Sequence, residues 1–264
     1  MIDLHSHILP GIDDGSKSLE MSLEMAKMAV DSGITTMACT PHIYPGLYMN
    51  DTAGIVAARE ALQRELDERA IPLQLTIGAD VHLVPGLLNG LRAGEIPCLH
   101  GTRYLLLEPS HHVAPPRFQE SVFQLVAEGY VPVITHPERL TWVEDNYAVF
   151  GELVRQGAWM QVTAGALTGV FGARAKYWGE RFLGDGLTHI IASDCHSAGR
   201  RSPVAMDKAQ QIAERMLGRE EAALLMRGRQ QKILENALPS SVPPPPRVEP
   251  QAKGWWQGLF GRGR

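Results

Sequence analysis

Met1–Gly15 reads MIDLHSHILPGIDDG. A short apolar run, Ile2 to Leu4, has strand character and delivers His5 and His7, one residue apart. In an extended segment residues i and i+2 face the same side, so both imidazoles can reach one ion. The glycine-bounded turn that follows holds Asp13 and Asp14. Neutral imidazoles and carboxylates are the ligands a divalent cation selects where no thiolate cage is present. A lone His-x-His pair is commonplace; this one gains weight because the same arrangement recurs along the chain.

The recurrence is strand, polar ligand, helix. Leu19, Leu23, Met25, Ala26 and Ala29 form a helical stripe ending near Gly33. A buried strand over 34–40 runs into Pro41-His42, and 52–70 reads as a helix with Asp51 or Thr52 as cap. Residues 73–81 alternate like a strand that ends at Gly78-Ala79-Asp80, followed by a looser region over 82–103. Strands at 104–107, 131–135, 159–163 and 189–193 alternate with helices at about 117–129, 146–156 and 173–185, and helices at 204–217 and 220–236 close the series. This alternation predicts an α/β fold with parallel strands and helical crossovers, either a barrel or a doubly wound sheet.

Polar residues fall where those strands end: His5 and His7, His42, Asp80, Glu108, His136, Asp194 and His196. In a barrel the C-terminal strand ends converge on one face, where active sites are built. Asp14 in the first turn completes a set of candidate ligands: His5, His7, Asp14, His42, Asp80, Glu108, His136, Asp194 and His196. The remaining histidines, His82, His100, His111, His112 and His189, are expected at surface or loop positions, with His111 and His112 near enough to Glu108 to line a pocket.

The ligand set exceeds the needs of one ion, and two or three ions sharing a bridging carboxylate are the economical reading. Oxygen and imidazole donors without thiolate suit Mn, Fe, Zn or Mg, and a hydroxide bridging two such ions is a strong nucleophile near neutral pH. Arg139 follows His136, and Arg201 follows His196. Guanidinium forks match phosphate oxygens. Ligands and arginines together outline a phosphoester hydrolase.

Composition sets outer limits. A chain of 264 residues with 44% hydrophobic and 20% charged residues has ample material for one large α/β domain. A net charge of −4 argues against a general nucleic-acid binder. Three cysteines, Cys39, Cys98 and Cys195, suit a reducing cytoplasm better than a disulfide framework. No basic and apolar leader opens the sequence and no run is long enough for a membrane span, so a cytoplasmic protein is expected.

His5-Ser6-His7, the GIDDGS run at 11–16, Thr40-Pro41-His42, His136-Pro137-Glu138-Arg139 and Ser193-Asp194-x-His196 with Arg201 together resemble one family. It is the PHP-class (polymerase and histidinol phosphatase) tyrosine phosphatases of bacterial capsule and exopolysaccharide clusters, the CpsB/CapC type. The resemblance runs from Met1 to about Leu238. It implies a distorted (β/α)7 barrel with the metal site at the C-terminal ends of the strands. It also implies three divalent ions, preferentially manganese, and hydrolysis of phosphotyrosine on a membrane-associated tyrosine kinase that regulates polysaccharide synthesis. Carried over, one ion takes His5, His7 and Asp194 with Asp80 as bridge; a second takes Asp80, Glu108 and His136; a third takes Asp14, His42 and His196. Arg139 and Arg201 take the positions of phosphate-binding arginines. One departure stands out: the family usually has Glu where this chain has Asp80, one methylene shorter.

Rival readings are a small-molecule phosphatase of the histidinol-phosphate kind and a non-catalytic docking module. A third is a cysteine-dependent phosphatase built on Cys195 to Arg201, a C-x5-R run followed by Ser202. The domain is expected over 1–238. Residues 239–250, PSSVPPPPRVEP, read as an extended, solvent-exposed linker. The basic aromatic end, 253–264, with Trp255, Trp256, Leu259 and Phe260, reads as a peptide that docks a protein or membrane surface.

Overall fold

The structure, a computed structural model, describes residues 1–247. Among these residues, ten strands lie in two sheets. β1 (Ile2–Ser6), β2 (Thr36–Cys39) and β5 (Gln74–Ile77) form a parallel three-stranded sheet in the order β1-β2-β5. The second sheet has the order β10-β9-β8-β7-β6-β3-β4, with β3 (His42–Tyr44), β4 (Tyr48–Met49), β6 (Asp80–His82), β7 (Tyr104–Glu108), β8 (Val131–Thr135), β9 (Trp159–Thr163) and β10 (Ile190–Ala192). All its pairings are parallel except the β3–β4 hairpin.

The expected strand over 73–81 is divided into β5 and β6, and the one over 34–40 is β2, with β3 starting afresh beyond it at His42. Backbone bonds still cross both breaks: Gly78 N–H donates to the Cys39 carbonyl at 3.0 Å and Asp80 N–H to that of Pro41 at 3.1 Å. At the far edges, Asp194 N–H donates to His5 O and His7 N–H to Cys195 O, each at 2.9 Å, so β1 meets the chain just past β10.

Helices cross between strands. α1 (Leu19–Asp31) starts at Ser18, whose hydroxyl accepts from Met21 N–H, and buries Leu23, Met25, Ala26 and Ala29 as the stripe predicts. α2 (Thr52–Glu68) is capped by Asp51. The region expected to be loose contains α3 (Leu87–Ala93). α4 (Phe118–Ala127), α5 (Val143–Arg155), α6 (Ala164–Leu167), α7 (Gly172–Gly184) and α8 (Ala205–Leu217) follow. The last expected helix is interrupted by a π-turn at Leu224–Gly228, between α9 (Arg219–Ala223) and α10 (Arg229–Leu234). No helix among the described residues is long and apolar enough to cross a membrane.

Alternate residues along the strands divide between two apolar clusters. Leu105, Leu107, Ile134, Met160, Val162 and Ile191 join the large cluster that includes buried helix residues such as Phe150 and Phe182. Tyr104, Leu106, Val131, Val133, Trp159 and Ile190 join a smaller one with Ile2 and Leu4. Such strands, covered on both faces, are apolar almost throughout. Following the smaller cluster's face toward the C-terminal strand ends, the period of two leads to Glu108, Thr135, Gln161 and Asp194. The apolar face thus turns polar at one end, and the candidate ligands begin there.

The opposite end is closed by the last helix. Arg229 is fully buried, pairs with both carboxylate oxygens of Glu221 (2.7 and 3.1 Å) and donates to the Pro243 carbonyl at 3.0 Å. Val242 is buried in the smaller cluster. The Pro-rich run, expected to be solvent-exposed, is so at Ser240, Ser241, Pro243, Pro244, Pro246 and Arg247; Val242 departs from this because an apolar gap receives it, and the Pro243 carbonyl meets the buried guanidinium. The rest of that run and the aromatic segment 253–264 lie outside the described residues. Removing one partner of a buried pair strands the other charge. Arg229→Ala is therefore expected to lower unfolding free energy by about 3–5 kcal/mol, read from the denaturant midpoint, without altering metal content.

Candidate metal centre

The nine candidate ligands come together at the C-terminal strand ends. β1 carries an extra residue relative to β2, since Asp3 pairs with Met37 but Ser6 with Cys39. The bulge lets Leu4 join the smaller cluster while His5, the next residue, reaches Gln161 on β9. His136 and Asp194 hold left-handed backbone conformations, φ 35° and 50°. Non-glycine residues adopt these at a cost, and such strain gathers at functional sites.

The spacing of the polar atoms is informative. Asp80 Oδ2 lies 3.4 Å from His5 Nε2, 3.5 Å from His42 Nδ1 and 3.8 Å from His136 Nε2. It is fully buried and has no hydrogen-bond partner. Asp194 Oδ1 is 3.5 Å from each of His5 Nε2 and His7 Nε2. Asp14 Oδ1 lies 3.5 Å from His42 Nε2 and 3.3 Å from His196 Nε2, and Glu108 Oε1 is 3.6 Å from His136 Nε2. These separations are long for N–H···O bonds. Two ligands each about 2.1 Å from one ion, at tetrahedral to right angles, stand about 3.0–3.4 Å apart. The donor set therefore fits divalent ions. Four groups have ligand atoms within 4.8 Å of one another: His7/Asp14/His42/His196, His5/His7/Asp80, Glu108/His111/His136 and His42/Asp80/Glu108.

Charge is divided across the cluster: against the pull of burial, Asp80 and Asp194 raise His5, and Asp13 and Asp194 push His7 up to about 10. Burial works to raise Asp80 and Asp194, but neighbouring histidines, and for Asp194 also Arg201, hold both well below the usual carboxylate range. Burial pushes His136 and His196 down to about 4, which keeps them neutral, the form that ligates a metal.

Residues behind the ligands orient them, and the sequence reading missed these. His7 Nδ1–H donates to Asp13 Oδ2 at 2.7 Å, and His5 Nδ1–H to Gln161 Oε1 at 2.8 Å, so each Nε2 is left free to face the centre. The adjacent aspartates thus differ: the Asp14 side chain is 44% exposed toward His42 and His196, while Asp13 is buried behind His7. Gly15 makes that turn possible, because a Cβ there would stand 2.2 Å from the His7 carbonyl oxygen.

Two histidines, His82 on β6 and His189, depart from the surface or loop expectation, while His111, in the loop after β7, lies beside Glu108 as expected. His82 Nδ1 lies 3.0 Å from Glu108 Oε2, and His111 Nε2 3.2 Å from Glu108 Oε1. His82 follows Asp80 on the same face of β6, a period-two signal obscured by reading 82–103 as a loop. His189 is buried and stacks on Trp159.

Arg139 and Arg201 converge on one atom. Arg139 Nη1 donates to Asp194 Oδ2 at 2.5 Å and Arg201 Nη2 at 2.8 Å. Both guanidiniums lie over the Phe171 ring, at 4.4 and 5.7 Å. Arg201 Nε is buried without an acceptor. A tetrahedral oxyanion beside Asp194 would meet two forks of N–H donors.

Cys195 does not serve a phosphate cradle. Its side chain is buried in the large apolar cluster, and burial pushes its thiol far above the ordinary value. A thiol so placed is not a nucleophile.

A family model described as capsular polysaccharide synthesis, CpsB/CapC, matches residues 1–235. Tyrosine-protein phosphatase YwqE of Bacillus subtilis (strain 168) is 36% identical over 248 residues, covering 93% of this chain and 96% of that protein. Tyrosine-protein phosphatase CpsB of Streptococcus pneumoniae is 30% identical over 243 residues, covering 90% of this chain and 100% of that one. Among solved structures, work on YwqE and CpsB described as unique metal-dependent tyrosine phosphatases supplies a match with TM-score 0.88 and 32% identity, covering 96% of this chain and 100% of the matched chain.

Proposed function

The chain belongs to the CpsB/CapC family of capsular polysaccharide synthesis, and on that premise we infer that it is a metal-dependent tyrosine phosphatase, a hydrolase of phosphotyrosine monoesters. The observation that carries the reading is the convergence of histidines, carboxylates and two arginines at the strand ends, centred on the unpartnered oxygen of Asp80 and the shared oxygen of Asp194.

The finer assignments are ours. Three divalent ions, manganese in preference to Fe, Zn or Mg, would be held by His5, His7 and Asp194, by Asp80, Glu108 and His136, and by Asp14, His42 and His196, with Asp80 also available to the first group. His42 has carboxylates on both sides: Nδ1 faces Asp80 and Glu108, while Nε2 faces Asp14. One nitrogen ligates and the other stays protonated. Bound ions supply neutralisation of phosphate oxygens and a water of lowered pKa. Arg139 and Arg201 grip the phosphate, exchanging Asp194 Oδ2 for its oxygens. The leaving phenol, with a pKa of about 10, departs more readily than an alcohol. We read the two sheets as one distorted seven-stranded barrel, supported by the bonds from β1 to Asp194 and Cys195 and from Cys39 and Pro41 to Gly78 and Asp80. The substrate in this reading is a membrane-associated tyrosine kinase of capsule synthesis, met from the cytoplasm.

Elemental analysis of the purified protein, paired with phosphate release from a phosphotyrosine peptide, tests the reading. Turnover is expected to depend on metal and to fall to background with EDTA. Cys195→Ser is expected to keep activity within about threefold, since its thiol stays protonated and buried. Loss with serine and indifference to chelator would overturn the metal reading.

A further inference from the structure

The β3–β4 hairpin borders the metal centre and carries two tyrosines that the ligand arrangement does not use. Its register pairs Tyr44 with Tyr48 and Ile43 with Met49. Residues opposite each other in an antiparallel pair point to the same face. On the face toward the centre, Tyr44 stacks on His82 with ring centroids 3.9 Å apart and planes 10° apart, and Tyr48 stacks on His42 at 5.5 Å and 18°. His82 in turn contacts Glu108, and His42 faces Asp80, Glu108 and Asp14. Each phenol ring is thus one side chain removed from the candidate ligand carboxylates.

Stacking on a histidine occupies one face of a ring. Tyr44 nevertheless remains 37% exposed, and Leu47, in the turn between the two strands, is 62% exposed. Apolar surface at the rim of the most charged part of the molecule has no packing role within the described chain. Phe171, the aromatic side of the arginine pair, already has both guanidiniums against its ring. The tyrosine pair offers a second aromatic surface, reached from Asp14, Asp80 and Glu108 through His42 and His82.

We propose that Tyr44 and Tyr48 receive the phenyl ring of the phosphotyrosine substrate and thereby select aryl over alkyl phosphate monoesters. The proposal rests on the phosphatase reading above and adds to it the residues that recognise the leaving group. Offset stacking and edge contacts between aromatic rings add to the simple burial of apolar area. A seryl phosphate has no ring to place there. Because these contacts form in the ground state and persist as the ester bond breaks, they act on KM more than on kcat.

The test compares two constants in one assay: KM for a phosphotyrosine peptide and Ki for inorganic phosphate, which has no ring. Tyr44→Ala and Tyr48→Ala are each expected to raise KM about tenfold, with Ki for phosphate shifted less than twofold. Tyr44→Phe and Tyr48→Phe, which keep the ring, are expected to restore KM to near the unsubstituted value. KM unchanged in the alanine variants would overturn the proposal. So would KM and Ki rising together, which would mean that His42 or His82 had been displaced. Absence of peptide turnover by the unsubstituted, metal-loaded protein would instead overturn the phosphatase reading, and this proposal with it.

Discussion

Asp80→Asn is expected to lower turnover of a phosphotyrosine peptide by about 10³-fold or more and to lower the metal content of the purified protein. The substitution conserves size, so it does not disturb packing. It removes the charge from the one carboxylate that faces His5, His42 and His136 together. Oδ2 has no hydrogen bond to lose; Oδ1 accepts a bond from the Thr135 hydroxyl at 3.3 Å, which an amide oxygen can still take. The loss would therefore report on ion binding alone. Asp80→Glu asks a different question. It restores the length usual in the family but adds a methylene in a fully buried position. Collapse of both activity and metal content would mean the rest of the site is adapted to the shorter chain; unchanged values would mean the bridge tolerates either length. An Asp80→Asn variant that keeps its full metal content and rate would remove Asp80 from the site.

Arg139→Ala is expected to cut kcat/KM by about 10²–10³-fold while metal content stays normal. Arg139 shares Asp194 Oδ2 with Arg201, so removing one leaves that oxygen partnered by the other at 2.8 Å. The same redundancy does not extend to substrate, because each guanidinium presents its own donors to a phosphate. Arg201→Ala should act in the same direction, and the double variant should lose less than the product of the single losses, since both act on one phosphate and one carboxylate. Metal lost in parallel from Arg139→Ala would reassign this arginine to holding the centre together.

Much of the site was legible because its chemistry is concentrated where strands stop. Histidine and carboxylate at the end of an apolar run are conspicuous, and the alternation of strands and helices told that the runs would be neighbours. Asp13 was not legible in this way. It and Asp14 are the same residue type in adjacent positions, and what separates their roles is the turn at Gly15 against the His7 backbone, a tertiary contact. His82 was missed because Gly and Pro between 82 and 103 suggested a loop, whereas β6 ends on His82 and α3 forms beyond it under the cover of neighbouring elements. The breaks between β2 and β3 and between β5 and β6 were not legible, because β3 and β6, three residues each, read as polar ends of the strands before them. Elements as short as β4, two residues long, carry too few positions for a period to show. Val242 could not be distinguished from an exposed valine in a proline run until the cluster it completes was seen.

The closure of β1 against Asp194 and Cys195 bears on how the protein is made. His5 and His7 are synthesised well before Asp194, which follows His5 by 189 residues. At typical rates of synthesis that interval is about 10–40 s. Throughout it the nascent chain carries a histidine pair without Asp194, the carboxylate that faces both rings, so a captured ion would be held weakly and exchange freely. Only a chain translated past His196 can commit to its metals, and any product truncated earlier is barred from the finished centre.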